Sequence, residues 1–188
     1  VSKSALAALL LGGLTLAYPV FVYFSLGHFE PRWFALVLLA LAILRWRLST
    51  QPGTWLAVVA ALVLAALAWL SNNVLPVKLY PVAVSASMFV LFAGSLAYPP
   101  SIVERLARLS EPNLPDEAVG YTRTVTMVWC GFFLINGLVA AYSAVWASDA
   151  FWALYNGGLA YGCMGVLAGG EWLIRQRFRA RIREQSHG

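Results

Sequence analysis

The chain has 188 residues, 61% of them hydrophobic and only 11% charged, with a formal net charge of +5. A soluble domain of this length cannot enclose so much apolar surface, so the composition excludes an ordinary water-soluble globule and requires the surplus to face lipid. Nor does the positive balance point to nucleic acid: Arg175, Arg177, Arg179, Arg181 and Arg183, five of the thirteen basic residues, directly follow an apolar run, where a membrane surface attracts them.

In chain order, Lys3 and the apolar run after it have the opening of a signal peptide. The run continues to Phe24 without a small-residue cleavage pattern, so residues 5–26 are expected to be a retained first span, kinked at Pro19. Segments 33–47 and 55–70 fall short of the ~20 residues that cross a ~30 Å hydrocarbon layer. As a re-entrant hairpin they would carry Arg45 and Arg47 to membrane depth, at ~2.5 kcal/mol or more each. Two short crossings cost less, with Arg32, Arg45 and Arg47 reaching outward and Trp33, Trp46 and Trp55 at the interfaces. Segment 77–97 is long enough to span by itself. Its end repeats Leu16-Ala17-Tyr18-Pro19 as Leu96-Ala97-Tyr98-Pro99, an echo too short to establish an inverted repeat.

Residues 98–122 are the longest polar interval. Pro99 and Pro100 end the preceding helix, Ser101 with Glu104 has capping-box spacing, and Pro112 and Pro115 stop the short helix between. Ile102, Val103, Leu106 and Leu109 fall on one face, with Glu104, Arg105 and Arg108 elsewhere. This predicts an amphipathic helix on the membrane surface, and Arg105, Arg108 and Arg123 are the candidate binders of an anionic headgroup or partner.

Segment 123–147 places Trp129, Phe133, Asn136, Ala140 and Ser143 on one face. Asn136, without water at mid-span, must bond another helix or line a cavity. Segment 151–174 carries Tyr155 and Asn156, candidates for a polar pocket, and a stripe of Gly158, Gly162, Gly165 and Gly169 that permits close approach of an internal helix or a second copy of the chain. Glu171 precedes Arg175 by four residues, the favourable order for an ion pair. The tail 175–188 is basic and amphipathic, suited to anionic lipid or an acidic protein such as an acyl carrier protein.

The predicted fold is therefore all-α: a polytopic integral membrane protein forming one domain over 1–188, with spans at about 5–26, 33–47, 55–70, 77–97, 123–147 and 151–174 and a short cytoplasmic amphipathic helix. With both termini cytoplasmic, eleven of the thirteen basic residues lie inside and only Arg32 and Lys78 outside, the split expected of a multi-pass chain with that orientation. No span has a central Asp, Glu, His or Lys, so an ion-coupled pump has little to work with. Cys130 and Cys163 sit in apolar runs, His28 and His187 are far apart, and neither a metal site nor a cofactor is expected. No nucleophile–base pair is visible; Glu171 and Glu104 are the catalytic candidates by default, with His28, Glu30 and Asp149 sharing the outer face.

The stretches AYPVFVYFSLGHFEPRWFAL, YPPSIVERLARLSEPNLPDEAVGYTRTVTMVWCGFFLINGLVAAYSA and WALYNGGLAYGCMGVLAGGEWLIR resemble a family of bacterial inner-membrane proteins. Its members are often encoded beside fatty-acid-synthase-like genes for aryl polyene or xanthomonadin-type pigments, and some carry a ketosynthase label. The likeness is strongest from Tyr98 to Arg175. It implies a place in the bacterial inner membrane and an accessory or scaffold role in lipid or aryl-polyene acyl assembly, binding an acyl intermediate or docking a carrier or biosynthetic enzyme at the cytoplasmic face. The alternatives are a membrane-embedded enzyme acting on acyl or lipid-linked substrate and a small lipid or pigment translocator. A fainter likeness, to the intracellular septation protein A family, covers Trp129–Asn136 and Trp152–Asn156 and implies no function here.

Overall fold

The computed structural model describes residues 13–14, 17–48, 54–112 and 114–185, with backbone alone at 45, 48, 54, 110 and 178–185. In order these form α1 (17–25), α2 (Pro31–Leu48), α3 (Thr54–Ser71), α4 (Leu75–Lys78), α5 (Tyr80–Ala97), α6 (Ile102–Ser110), α7 (Asp116–Val145), α8 (Asp149–Leu154), a π-helical turn (Tyr155–Leu159) and α9 (Ala160–Gln185). The fold is all-helical, and no strand occurs among the described residues. Of these helices α5 and α7 are long and apolar enough to cross a membrane, while the apolar parts of α2 and α3, Pro31–Leu44 and Trp55–Ser71, are shorter. The first half of the expected 5–26 segment lies outside the described residues.

The long helices run up and down between two ends. At one, called the α4 end, the Arg32 amide donates to Asn72 Oδ1 and Lys78 of α4 pairs with Asp149 of α8. At the other, the α6 end, the Ile102 amide donates to Ser95 Oγ and the Tyr121 hydroxyl reaches Glu171. α2 packs along α3, and α5 along α7, with α3 meeting α5 between the two pairs.

The α2–α3 pair is close because α3 turns alanines toward the core. Ala57, Ala61, Ala65 and Ala68 are buried, at the spacing of one helical face, against Phe34, Ala35, Leu38 and Ala42 of α2. Small side chains let the two backbones approach, the same device that packs helices in lipid.

Segment 77–97 was expected to be one helix, but it is broken at Leu79 into α4 and α5. The cause is Pro81, which has no N–H for the carbonyl four residues back, that of Val77. The Tyr18 hydroxyl donates to the Val77 carbonyl at 2.9 Å, and the Trp152 indole N–H donates to the next carbonyl, that of Lys78, at 3.1 Å. The break is therefore satisfied by side chains from α1 and α8, which it ties to the bundle.

Burial across α5 and α7 is mixed: α7 encloses Val125, Cys130, Phe133, Ala140 and Ala144, yet hydroxyls are buried beside them and many large apolar side chains are not. Their buried residues include Ser85, Ser87, Ser95, Thr122, Thr126 and Ser143, while Val128, Leu134, Ile135, Leu138 and Val145 are exposed. The hydroxyls are satisfied locally: Ser87 donates to the Ala83 carbonyl, Thr126 to that of Thr122 and Ser143 to that of Ala140.

Candidate functional site

The α6 segment is capped at Ser101 as its spacing predicts, and the face it turns to the bundle is the one that carries Glu104. Ser101 caps the helix by accepting from the Glu104 amide at 3.3 Å. The Glu104 carboxylate accepts from Arg108 at 2.8–2.9 Å rather than turning back to the cap. Ser101, Glu104 and Ala107 form the buried face, against α7. Leu106 and Leu109, on the face expected to lie on a membrane, are 56% and 82% exposed. Burying an acid is tolerable here because Arg108 neutralises it in the same helix, one turn on.

The three candidate arginines consequently differ. Arg108 is held by Glu104 and by the Pro112 carbonyl, so its role is structural. Arg105 donates from Nε to the Pro100 carbonyl at 2.9 Å and is exposed, its two terminal nitrogens without a partner among the described residues. Arg123, at the same end, is exposed on α7.

Deeper in the bundle a polar chain links three elements. Asn136 of α7 donates to Ser85 Oγ of α5 at 3.0 Å and accepts from the Tyr155 hydroxyl of the π turn at 3.0 Å. Asn156 faces another way: it is buried, and its amide nitrogen donates to Ser143 Oγ at 3.1 Å and to the Trp152 carbonyl at 2.9 Å. A π turn disturbs the regular carbonyl pairing of a helix and commonly marks a functional position; here Asn156 supplies a side-chain donor at that disturbance. Asn136 and Tyr155 thus meet as their candidacy for one site requires. Their polar atoms are engaged with each other and with Ser85, as an amide packed between helices requires.

Trp129 does not join them. It lies in an aromatic cluster with Phe92, Phe132 and Phe133, its ring centroid 5.7 Å from that of Phe133 and 6.4 Å from that of Phe92. Within the chain, the close helix approach is at another glycine than those of the stripe. A Cβ on Gly137 would lie 3.3 Å from Ser85 Cβ, whereas at Gly158, Gly162, Gly165 and Gly169 nothing described comes within 4 Å. Ser85 sits on Gly137 because its neighbour Asn136 holds the same serine, so the contact and the hydrogen bond fix one register of α5 on α7.

Among the described residues three ion pairs form: Arg32 with Glu30, Lys78 with Asp149, and Arg108 with Glu104. Glu171 meets Tyr121 at 3.4 Å rather than Arg175. Asp149 and Glu30, grouped with His28 in the sequence, are drawn to separate cations. Lys78 is the larger surprise, since a lysine expected on the outer surface is only 7% exposed. Its signal in the sequence is a lone cation among apolar residues beside two prolines, Pro76 and Pro81. No group of three or more His, Cys, Asp or Glu among the described residues is placed to hold a metal, and Cys130 and Cys163 are both free thiols, the first buried and the second exposed. Comparison with protein-family models, with characterised proteins and with solved structures returned no match.

Proposed function

We propose that the chain is a six-span protein of the bacterial inner membrane, with both termini and the α6 end in the cytoplasm. It acts there as an accessory protein of acyl assembly, holding an acylated lipid intermediate or the carrier that delivers one. The carrying observation is the apolar outer surface of the α5–α7 pair, where Val90, Val128, Leu134, Ile135, Leu138 and Val145 are exposed while Ser85, Ser87, Ser95, Thr122, Thr126 and Ser143 are buried. Water would penalise that arrangement by roughly 25 cal/mol for each Å² of exposed apolar surface, whereas a lipid environment removes the penalty. Among the described residues, these spans comprise α1, α2, α3, α4 with α5, α7, and α8 with the π turn and α9.

Orientation follows from the cations. Arg32 and Lys78 at the α4 end are each paired with an acid, while Arg47, Arg105, Arg108, Arg123, Arg175 and Arg177 belong to the opposite end. Lys and Arg are retained on the cytoplasmic side of short loops, which favours the α6 end inside. Arg105 and Arg123, exposed there, are the anion-binding residues of this reading. The acyl-assembly setting is supported by the resemblance carried by Tyr98 to Arg175.

Reporter fusions at Thr50 and Asp116 are expected to read cytoplasmic and one at Asn73 periplasmic; a periplasmic signal at Asp116 overturns the orientation. Native mass spectrometry of the protein in mild detergent, with added acyl-loaded carrier protein, tests the role. Retention of carrier or of an acylated lipid is expected, with loss in the Arg105→Glu, Arg123→Glu double variant. A protein that retains neither refutes it.

A further inference from the structure

We infer that α6 is an interfacial helix seated in the headgroup region of the phospholipid leaflet, with Leu106 and Leu109 inserted among acyl chains and Arg105 reaching lipid phosphate. The inference rests on the membrane reading above and specifies the partner of its α6 end.

Three observations converge. First, α6 presses its polar side on the protein: Ser101, Glu104 and Ala107 are buried, and the carboxylate is neutralised in place by Arg108. A short helix between prolines that hides an acid and displays two leucines has its apolar side matched to something other than water. Second, the outward face is charged in one sense. Arg105 stands next to Leu106 in sequence and four residues before Leu109, with its terminal nitrogens directed to no described acceptor. The exposed acids of this segment, Glu111, Asp116 and Glu117, come after α6 ends, and the acid within the helix is turned inward. A guanidinium beside leucines complements a surface with phosphates above acyl chains, and Arg binds phosphate through two parallel N–H donors. Third, α6 is continuous with the membrane helices. Ser95 near the end of α5 accepts from the Ile102 amide, and Tyr98, an aromatic residue of the type that settles at membrane interfaces, is exposed between them. A soluble protein docked on Leu106 and Leu109 is the competing occupant, and it would leave this face wet when the protein is alone in a bilayer.

The test uses the full chain in phospholipid vesicles, with Cys130 and Cys163 replaced by alanine and a single environment-sensitive fluorophore at Leu109→Cys or, as a reference, Glu117→Cys. Brominated phosphatidylcholine is expected to quench the label at 109 and leave 117 nearly unchanged, with aqueous iodide doing the opposite. Quenching at 109 by iodide and not by brominated lipid overturns the inference. A reporter fusion at Asp116 in the same background separates the two ideas. A wet position 109 with a cytoplasmic Asp116 removes the interfacial helix alone, whereas a periplasmic Asp116 removes the membrane orientation itself. Arg105→Gln, in vesicles of phosphatidylglycerol, is expected to shift the label at 109 toward water; an unchanged spectrum removes the phosphate contact from the proposal.

Discussion

The two ends of the bundle treat their cations in opposite ways. At the α4 end Lys78 is buried against Asp149, the Val77 carbonyl freed by Pro81 is taken by Tyr18, and the next carbonyl, that of Lys78, by Trp152. The hydrophobic core cluster includes Tyr18, Val77, Tyr80 and Trp152 at this end, with Tyr18 edge-on to Tyr80 at 5.1 Å. At the α6 end Arg105 and Arg123 project outward, Leu106 and Leu109 are exposed, and only Arg108 is committed to a buried partner. The contrast teaches that charge type does not reveal use. A cation locked to an acid beside a broken helix is part of the frame, and one left exposed next to leucines is available to a partner.

The largest effect should come from breaking the closed end. Asp149→Ala leaves Lys78 without its carboxylate and is expected to cost about 3 kcal/mol, the low end for splitting a buried pair, because Asp149 is half exposed. Adding Lys78→Met should recover most of that loss. Thermal unfolding in detergent reads both, and equal midpoints for the single and double variants would mean that burial of the lysine is not the source of the cost.

The one frame-like residue of the open end comes next. Arg108→Ala strands the Glu104 carboxylate and should cost about 2 kcal/mol by the same measurement. An effect no larger than that of Arg105→Ala would erase the distinction drawn between these neighbours. Trp152→Phe keeps the ring and removes the donor to the Lys78 carbonyl, for an expected loss of about 1–2 kcal/mol. Smallest is Arg105→Gln, which should move stability by no more than about 0.5 kcal/mol. A large destabilisation there would turn the open end into a second closed one.

Much of the fold is legible in residue order. Apolar runs locate α2, α3, α5 and α7 to within a few residues, except that α7 begins at Asp116, seven residues before the expected 123, because Pro115 is an N-terminal flank and the acids after it suit a first turn. Ser101 was readable as a cap for the same local reason. The apolar face of α6 was readable as well, but its partner in the bundle was not. Spacing gives the angle between Glu104 and Leu106 on a helix but not which of the two meets α7, and in lipid the usual rule that apolar faces turn inward does not apply. The site residues divide similarly. Asn136 had to find a partner wherever its helix packed, but only packing selected Ser85 and Tyr155 and sent Trp129 to the phenylalanines.

By itself, then, the sequence determined the apolar surplus, the helices, their local ends and the placement of arginines along the chain, because these depend on composition and on interactions within one or two turns. Tertiary structure alone decided that the glycine in close contact within the chain is Gly137, that Lys78 is buried with Asp149, and that α6 turns Glu104 onto α7. Each of these depends on which surfaces of distant segments meet, and the spacing within a single helix carries no information about its neighbour.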